Sequence, residues 1–177
     1  ANSRLNFLGT TGAQTFTGVG TFTGRVSSIG VANSLGLTIS TPVLIQRVNL
    51  FNGAINGASN ITIGTGAALA AIVQIGGTGN TTPGGSFDTA PIFNTGTGVY
   101  TILYSNETTA RTTGLEIPAT RSVNNIIIDN TNGLTIAGGT IEVLSGLTLT
   151  NGVVTATAAN YLIHGSATAA GTLTGGS

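Results

Sequence analysis

The chain has 177 residues, only 6% of them charged, with five basic and five acidic side chains and a formal net charge of zero. An average soluble protein is roughly 25% charged, so Thr, Ser, Asn and Gly must cover this surface, and no basic stripe exists to neutralise several phosphates or hold an anionic membrane. Cysteine is absent, which excludes a disulfide framework and a thiolate metal site.

Gly and β-branched Thr, Val and Ile recur throughout, while Lys, Met and Trp are missing. This composition favours strands over helices. From Ala1 onward there is no basic segment followed by an apolar one, as in a secretory leader. The chain therefore reads as mature protein or as an excerpt of a longer one.

In chain order, the first elements are Gly12-Ala13-Gln14-Thr15-Phe16 and a tandem six-residue repeat, Thr15-Phe16-Thr17-Gly18 then Thr21-Phe22-Thr23-Gly24. Apolar-polar-apolar triplets follow at Leu37-Thr38-Ile39, Ile61-Thr62-Ile63, Leu134-Thr135-Ile136, Ile141-Glu142-Val143 and Leu147-Thr148-Leu149. Period two means strands with one buried face. Asn52-Gly53, Asn132-Gly133, Gly138-Gly139, Asn151-Gly152 and Gly175-Gly176 separate them and supply the positive φ of sharp corners.

The longest apolar run, Ala67 to Ile75 with Gln74 inside it, is far shorter than the roughly 18 to 20 residues that span a bilayer. Strand starts at Ile126, Leu134, Ile141, Leu147, Val153 and Leu162 lie closer together than in a sandwich. Three such strands make one coil of a β-solenoid.

The chain also matches itself. Residues 5–39 align without a gap on 102–136: Leu5 with Ile102, Phe7 with Tyr104, Ile29 with Ile126, and Asn33, Gly36, Leu37, Thr38, Ile39 with Asn130, Gly133, Leu134, Thr135, Ile136. After a two-residue shift, Asn52-Gly53 pairs with Asn151-Gly152 and Gly76-Gly77 with Gly175-Gly176. Residues 1–177 thus read as one continuous repetitive β domain in which 5–78 repeats as 102–177. The Gly/Thr/Pro-rich segment 79–101 is unmatched, either the remainder of the repeat or a loop between copies, and Tyr100-Thr101-Ile102-Leu103-Tyr104 re-enters strand. Asn33, Gly36, Asn52, Gly53, Asn130, Gly133, Asn151 and Gly152 are the expected corner and ladder positions.

Together with Gly12 to Phe16, the segments Ser122-Val123-Asn124-Asn125-Ile126-Ile127-Ile128-Asp129-Asn130, Asn132 to Ile136, Leu147 to Gly152 and Ala170-Gly171-Thr172-Leu173-Thr174-Gly175-Gly176 carry a family likeness. The unit resembles the repetitive segments of large surface adhesins of Bacteroidetes-type bacteria, exported by the type IX route. The resemblance implies an extracellular or cell-surface location and a structural role.

Candidate chemistry is sparse. The only histidine, His164, aligns near Gly64 and has no obvious carboxylate orienter or nucleophile, so it reads as a surface or corner residue. Asp88, Glu107, Glu116, Asp129 and Glu142 lie one at a time, whereas glycoside hydrolysis needs converging carboxyls. No calcium-roll motif occurs. Arg4, Arg25, Arg47, Arg111 and Arg121 are scattered and read as solubilising surface residues that cap sheet edges. Asp88-Thr89-Ala90 resembles the O-glycosylation motif of exported Bacteroidetes proteins, which marks Thr89 for modification.

The expectation is therefore an all-β, parallel β-solenoid with Gly/Asn corners, the alternative being tandem β-sandwich repeats with strand exchange. Function follows as a non-catalytic segment of an extracellular fibre or adhesin, without catalytic, metal or cofactor residues. Its expected partners are neighbouring copies or flanking repeats, then glycans or surfaces, with no nucleic acid and no membrane insertion. Outward threonines make an ice- or carbohydrate-binding module the alternative function.

Overall fold

The computed structural model describes residues 4–9, 11–18, 26–66, 68–77, 83–165 and 172–175. These residues form an all-β parallel solenoid of about six turns. Every strand pairing among them is parallel, which rules out the antiparallel sandwich alternative.

A long face stacks Arg4–Gly9, Val26–Asn33, Val43–Asn52, Ala71–Gly76, Tyr100–Ser105, Ser122–Asp129, Ile141–Asn151 and Thr172–Gly175. Its register explains the self-match. Leu5 pairs with Ile29, then Val48, Val73 and Ile102 in succession, so the repeat that joins Leu5 to Ile102 is four coils long. From Ile102 the same position continues through Ile126 and Leu147 to Leu173.

The neighbouring inward position runs Phe7, Val31, Leu50, Ile75, Tyr104, Ile128, Leu149. Alternation sends these side chains into one core, where Ile29, Val31, Val48, Leu50, Val73, Ile75, Ile102 and Ile126 are fully buried. Such burial is possible only by stacking, since a single coil has nothing above or below its apolar edge.

A second face consists of two separate sheets. Gln14–Phe16, Leu37–Ile39, Ala54–Asn56 and Ser86–Phe87 form one; Arg111–Thr112, Leu134–Thr135 and Val154–Thr155 form the other. The third face comprises the start of Val43–Asn52 with Ile61–Ile63 and Ile92–Phe93, then the starts of Ser122–Asp129 and Ile141–Asn151 with Leu162–His164.

The expected strands at Ile141 and Leu147 are one strand, Ile141–Asn151. No asparagine-glycine turn separates them, and the chain bends through a register shift between Val123 and Asn125 of the paired strand. Val153, an expected strand start, is exposed, and the short strand begins at Val154. The unmatched segment is no simple loop: residues 83–101 contribute Ser86–Phe87, Ile92–Phe93 and the start of Tyr100–Ser105 to the stack. The motif Thr21 to Gly24 and residues 79–82 lie outside the described residues.

Candidate functional site at a seam in the ladder

The expected corner residues occupy matching places in the two copies. Asn33 and Asn130 are fully buried. The Asn33 side-chain oxygen accepts from the Leu35 amide at 3.0 Å, and its carbonyl accepts from Gly36 at 2.8 Å. Asn130 accepts likewise from the Asn132 and Gly133 amides, at 3.3 and 2.8 Å. Each amide nitrogen donates across to the preceding coil, Asn33 to Gly12 and Asn130 to Thr109. Gly36 and Gly133 both have φ +87°. Asn52 and Asn151 end their long-face strands, pairing with Ala32 and Asp129, and Gly53 and Gly152 follow on top of Asn33 and Asn130.

The ladder is breached in one coil, residues 106–121. There the second face splits into its two sheets, and no strand links Ile92–Phe93 to Ser122–Asp129 on the third face. Asn106 and Arg121 bound this coil and are the two non-glycine residues of positive φ among the described residues. Side chains that lie one at a time in the sequence converge here. Glu107 and Glu116 are 5% and 2% exposed.

Arg111 takes the place of a missing rung. It follows the inward register of Leu134 and Val154, yet its Nη1 and Nη2 donate to the carbonyls of Gly84 and Gly85 at 3.1 and 2.9 Å. Glu107 lies 3.8 Å from Arg111, and its other oxygen accepts from the Gly84 amide. The segment before Ser86–Phe87 is thus tied by charged side chains to the coil with which its strand does not pair. Reading Arg111 as a solubilising surface residue is corrected by this geometry.

Below them, Tyr100 and Tyr104 are sealed in the core. The Tyr104 hydroxyl donates to the Glu116 carboxylate at 2.8 Å, and Tyr100 donates to the Glu116 carbonyl at 2.7 Å. The Gly114 amide also donates to that carboxylate, at 2.7 Å. Burial first, then the charge of Glu116, holds both phenols well above the ordinary tyrosine value of 10.0. The folded chain thereby binds phenolic protons more tightly than the unfolded chain does.

Stability from these phenols is complete below about pH 10 and is lost as pH rises from there through their folded values. In an alkaline titration followed at 295 nm and by circular dichroism, phenolate from Tyr100 and Tyr104 is expected only together with loss of the strand signal. Full ionisation of the three tyrosines with the strand spectrum intact would contradict this assignment.

The remaining candidates stay apart. His164 pairs with Val143 on the inward register of the third face, so it fills a strand position like that of Ile63, while Gly165 matches Gly64. It is therefore no corner residue. Asp129 accepts from Asn151 at 2.6 Å, and Glu142 accepts from Ser122 at 3.0 Å. Burial is the largest single influence on Asp88 and raises its pKa, but hydrogen bonds from Gly57, Ala58 and Thr89 together outweigh it and leave the carboxyl below the usual range. Among the described residues no three acids or histidines group as metal ligands. Thr89 is exposed beside Asp88; its hydroxyl donates to Asp88 and accepts from the Ser59 amide.

Outward threonines form two files on the second face. Thr15 and Thr38 are followed by Asn56, and Thr112 by Thr135 and Thr155. Among the arginines, Arg121 is tied to the carbonyls of Ala137, Gly139 and Thr140, while Arg4 and Arg47 share the outer long face. Arg25 lies outside the described residues.

These features define a parallel β-solenoid with one internally stitched coil. No family model, curated protein or solved structure matches the chain.

Proposed function

We propose that the chain is a non-catalytic structural segment of an extracellular fibre or cell-surface adhesin, giving length and rigidity and joining further coils end to end. The observation that carries this reading is the single long-face ladder, which runs from Arg4–Gly9 to Thr172–Gly175. A ladder of this kind grows by about 4.8 Å per coil, and its core is completed only by the next coil.

At one end Leu5, Phe7 and Phe16 are only partly buried, whereas Ile29 and Val31 one coil further in are sealed. That half-covered cross-section suits a flanking repeat or another copy of the chain. Of the two most enclosed carboxylates, Glu116 accepts from Tyr104 and Gly114 and Glu107 accepts from Gly84 through one oxygen, which supports a role in architecture over turnover. Thr89, whose sequence context resembles the O-glycosylation motif of exported proteins, is exposed and open to such modification.

Antibodies against the chain are expected to label intact cells, with the label lying along surface fibres. Label that appears only after permeabilisation would overturn the proposal. The second reading, ice or carbohydrate binding through the threonine files, is favoured by the Thr112-Thr135-Thr155 rank. It is weakened where Asn56 interrupts the other file, and measured thermal hysteresis would restore it.

A further inference from the structure

The outer long face carries a motif that the structural role does not use. Arg4-Leu5-Asn6 and Arg47-Val48-Asn49 are two copies of Arg-apolar-Asn at the same register, two coils apart, with Ser28 between the arginines. In each, the arginine Nε donates to the asparagine side-chain oxygen, at 2.9 Å from Arg4 and 2.7 Å from Arg47. Arg47 Nη2 also donates to Gln74 on the next coil at 2.6 Å, and Asn49 is itself held by Ser28 at 3.0 Å. Gly30 stands between the two asparagines; a side chain there would collide with Asn6 Oδ1 at 2.7 Å.

Surface arginines normally lose rotamer freedom when they bind, whereas these two are already fixed by their Nε partners. Neither forms an ion pair among the described residues. The charge of Arg4 adds to burial in holding the Arg47 guanidinium below its ordinary value, so the pair carries a repulsion that an anion would relieve. Two coil steps set the forks roughly 10 Å apart along the rod axis.

We propose that the two forks bind an acidic polysaccharide lying along the rod, one carboxylate or sulfate seated on each guanidinium. A planar guanidinium matches either anion with paired hydrogen bonds. The Ser28 hydroxyl between them faces the neutral part of the sugar chain. Nucleic acid is the poorer fit, because two cations on a chain of zero net charge neutralise too few phosphates. The site is independent of whether the rod serves as stalk or filament.

The test is biolayer interferometry of the whole chain on immobilised polygalacturonate, dextran sulfate and neutral dextran at about 0.15 M salt. Binding to at least one acidic polymer and none to dextran is expected, and the two acidic arms separate a carboxylate from a sulfate ligand. The double variant Arg4→Gln/Arg47→Gln should weaken binding by about tenfold or more with an unchanged strand spectrum. Asn6→Ala, which keeps the net charge but frees the Arg4 fork, should weaken it several-fold. No binding to either acidic polymer, binding retained by the double variant, or full binding by Asn6→Ala would each overturn the proposal.

Discussion

Replacing Arg111 with methionine is expected to destabilise the chain by about 3 to 5 kcal/mol, the range for removing one partner of a buried ion pair. Three groups are stranded together: the Glu107 carboxylate and the carbonyls of Gly84 and Gly85. A surface arginine would give a change within about 0.5 kcal/mol. Because the second and third faces are already open at this coil, the loss should also divide unfolding in denaturant into two steps. The long face alone would then join the coils on either side. Removing both charges, as Arg111→Met/Glu107→Gln, should recover part of the loss, since no unpaired charge is then left buried. A single transition shifted by less than about 1 kcal/mol would show that the pair does not stitch the seam.

The other large effect is at the corners. Gly53→Ala and Gly152→Ala are each expected to cost about 3 kcal/mol or more, and to cost similar amounts. With φ of +76° and +92°, either alanine adopts a left-handed conformation that costs about 1 to 2 kcal/mol. Its Cβ would also fall on the carbonyl oxygen of Asn33 or Asn130, so the coils must separate at that corner. Gly12→Ala is the control, because nothing lies within 4 Å of a Cβ there. Thermal or urea denaturation of the three variants makes the comparison. Unequal losses at Gly53 and Gly152 would mean that the two copies do not share a corner.

These corners were legible in the sequence because their chemistry is local. A left-handed turn needs glycine whatever surrounds it, so Asn52-Gly53 and Asn151-Gly152 announce themselves. Period two in Leu37-Thr38-Ile39 or Ile61-Thr62-Ile63 reports a strand with one buried side for the same reason. The bend at Leu144-Ser145-Gly146 was not legible, since a bulge lets the strand continue and leaves no turn signature. His164 was misplaced by a small alignment offset: strand register, not sequence spacing, sets it opposite Val143.

The seam and the arginine forks were hidden more deeply. Glu107, Arg111 and Glu116 look like solvated charges because burial of a charge is decided by partners, and theirs are the distant Gly84, Gly85 and Tyr104. Arg4 and Arg47 share a file only because the intervening coils return the chain to one register.

By itself, then, the sequence determined the strand class, the glycine corners and the hundred-residue repeat, all of which rest on backbone conformation and alternation within a few residues. The tertiary structure alone decided that this repeat spans four coils, which coil breaks the ladder, and which charges meet inside it. Those outcomes depend on how coils of unequal length stack, and stacking brings together residues about twenty to thirty positions apart that no local preference relates.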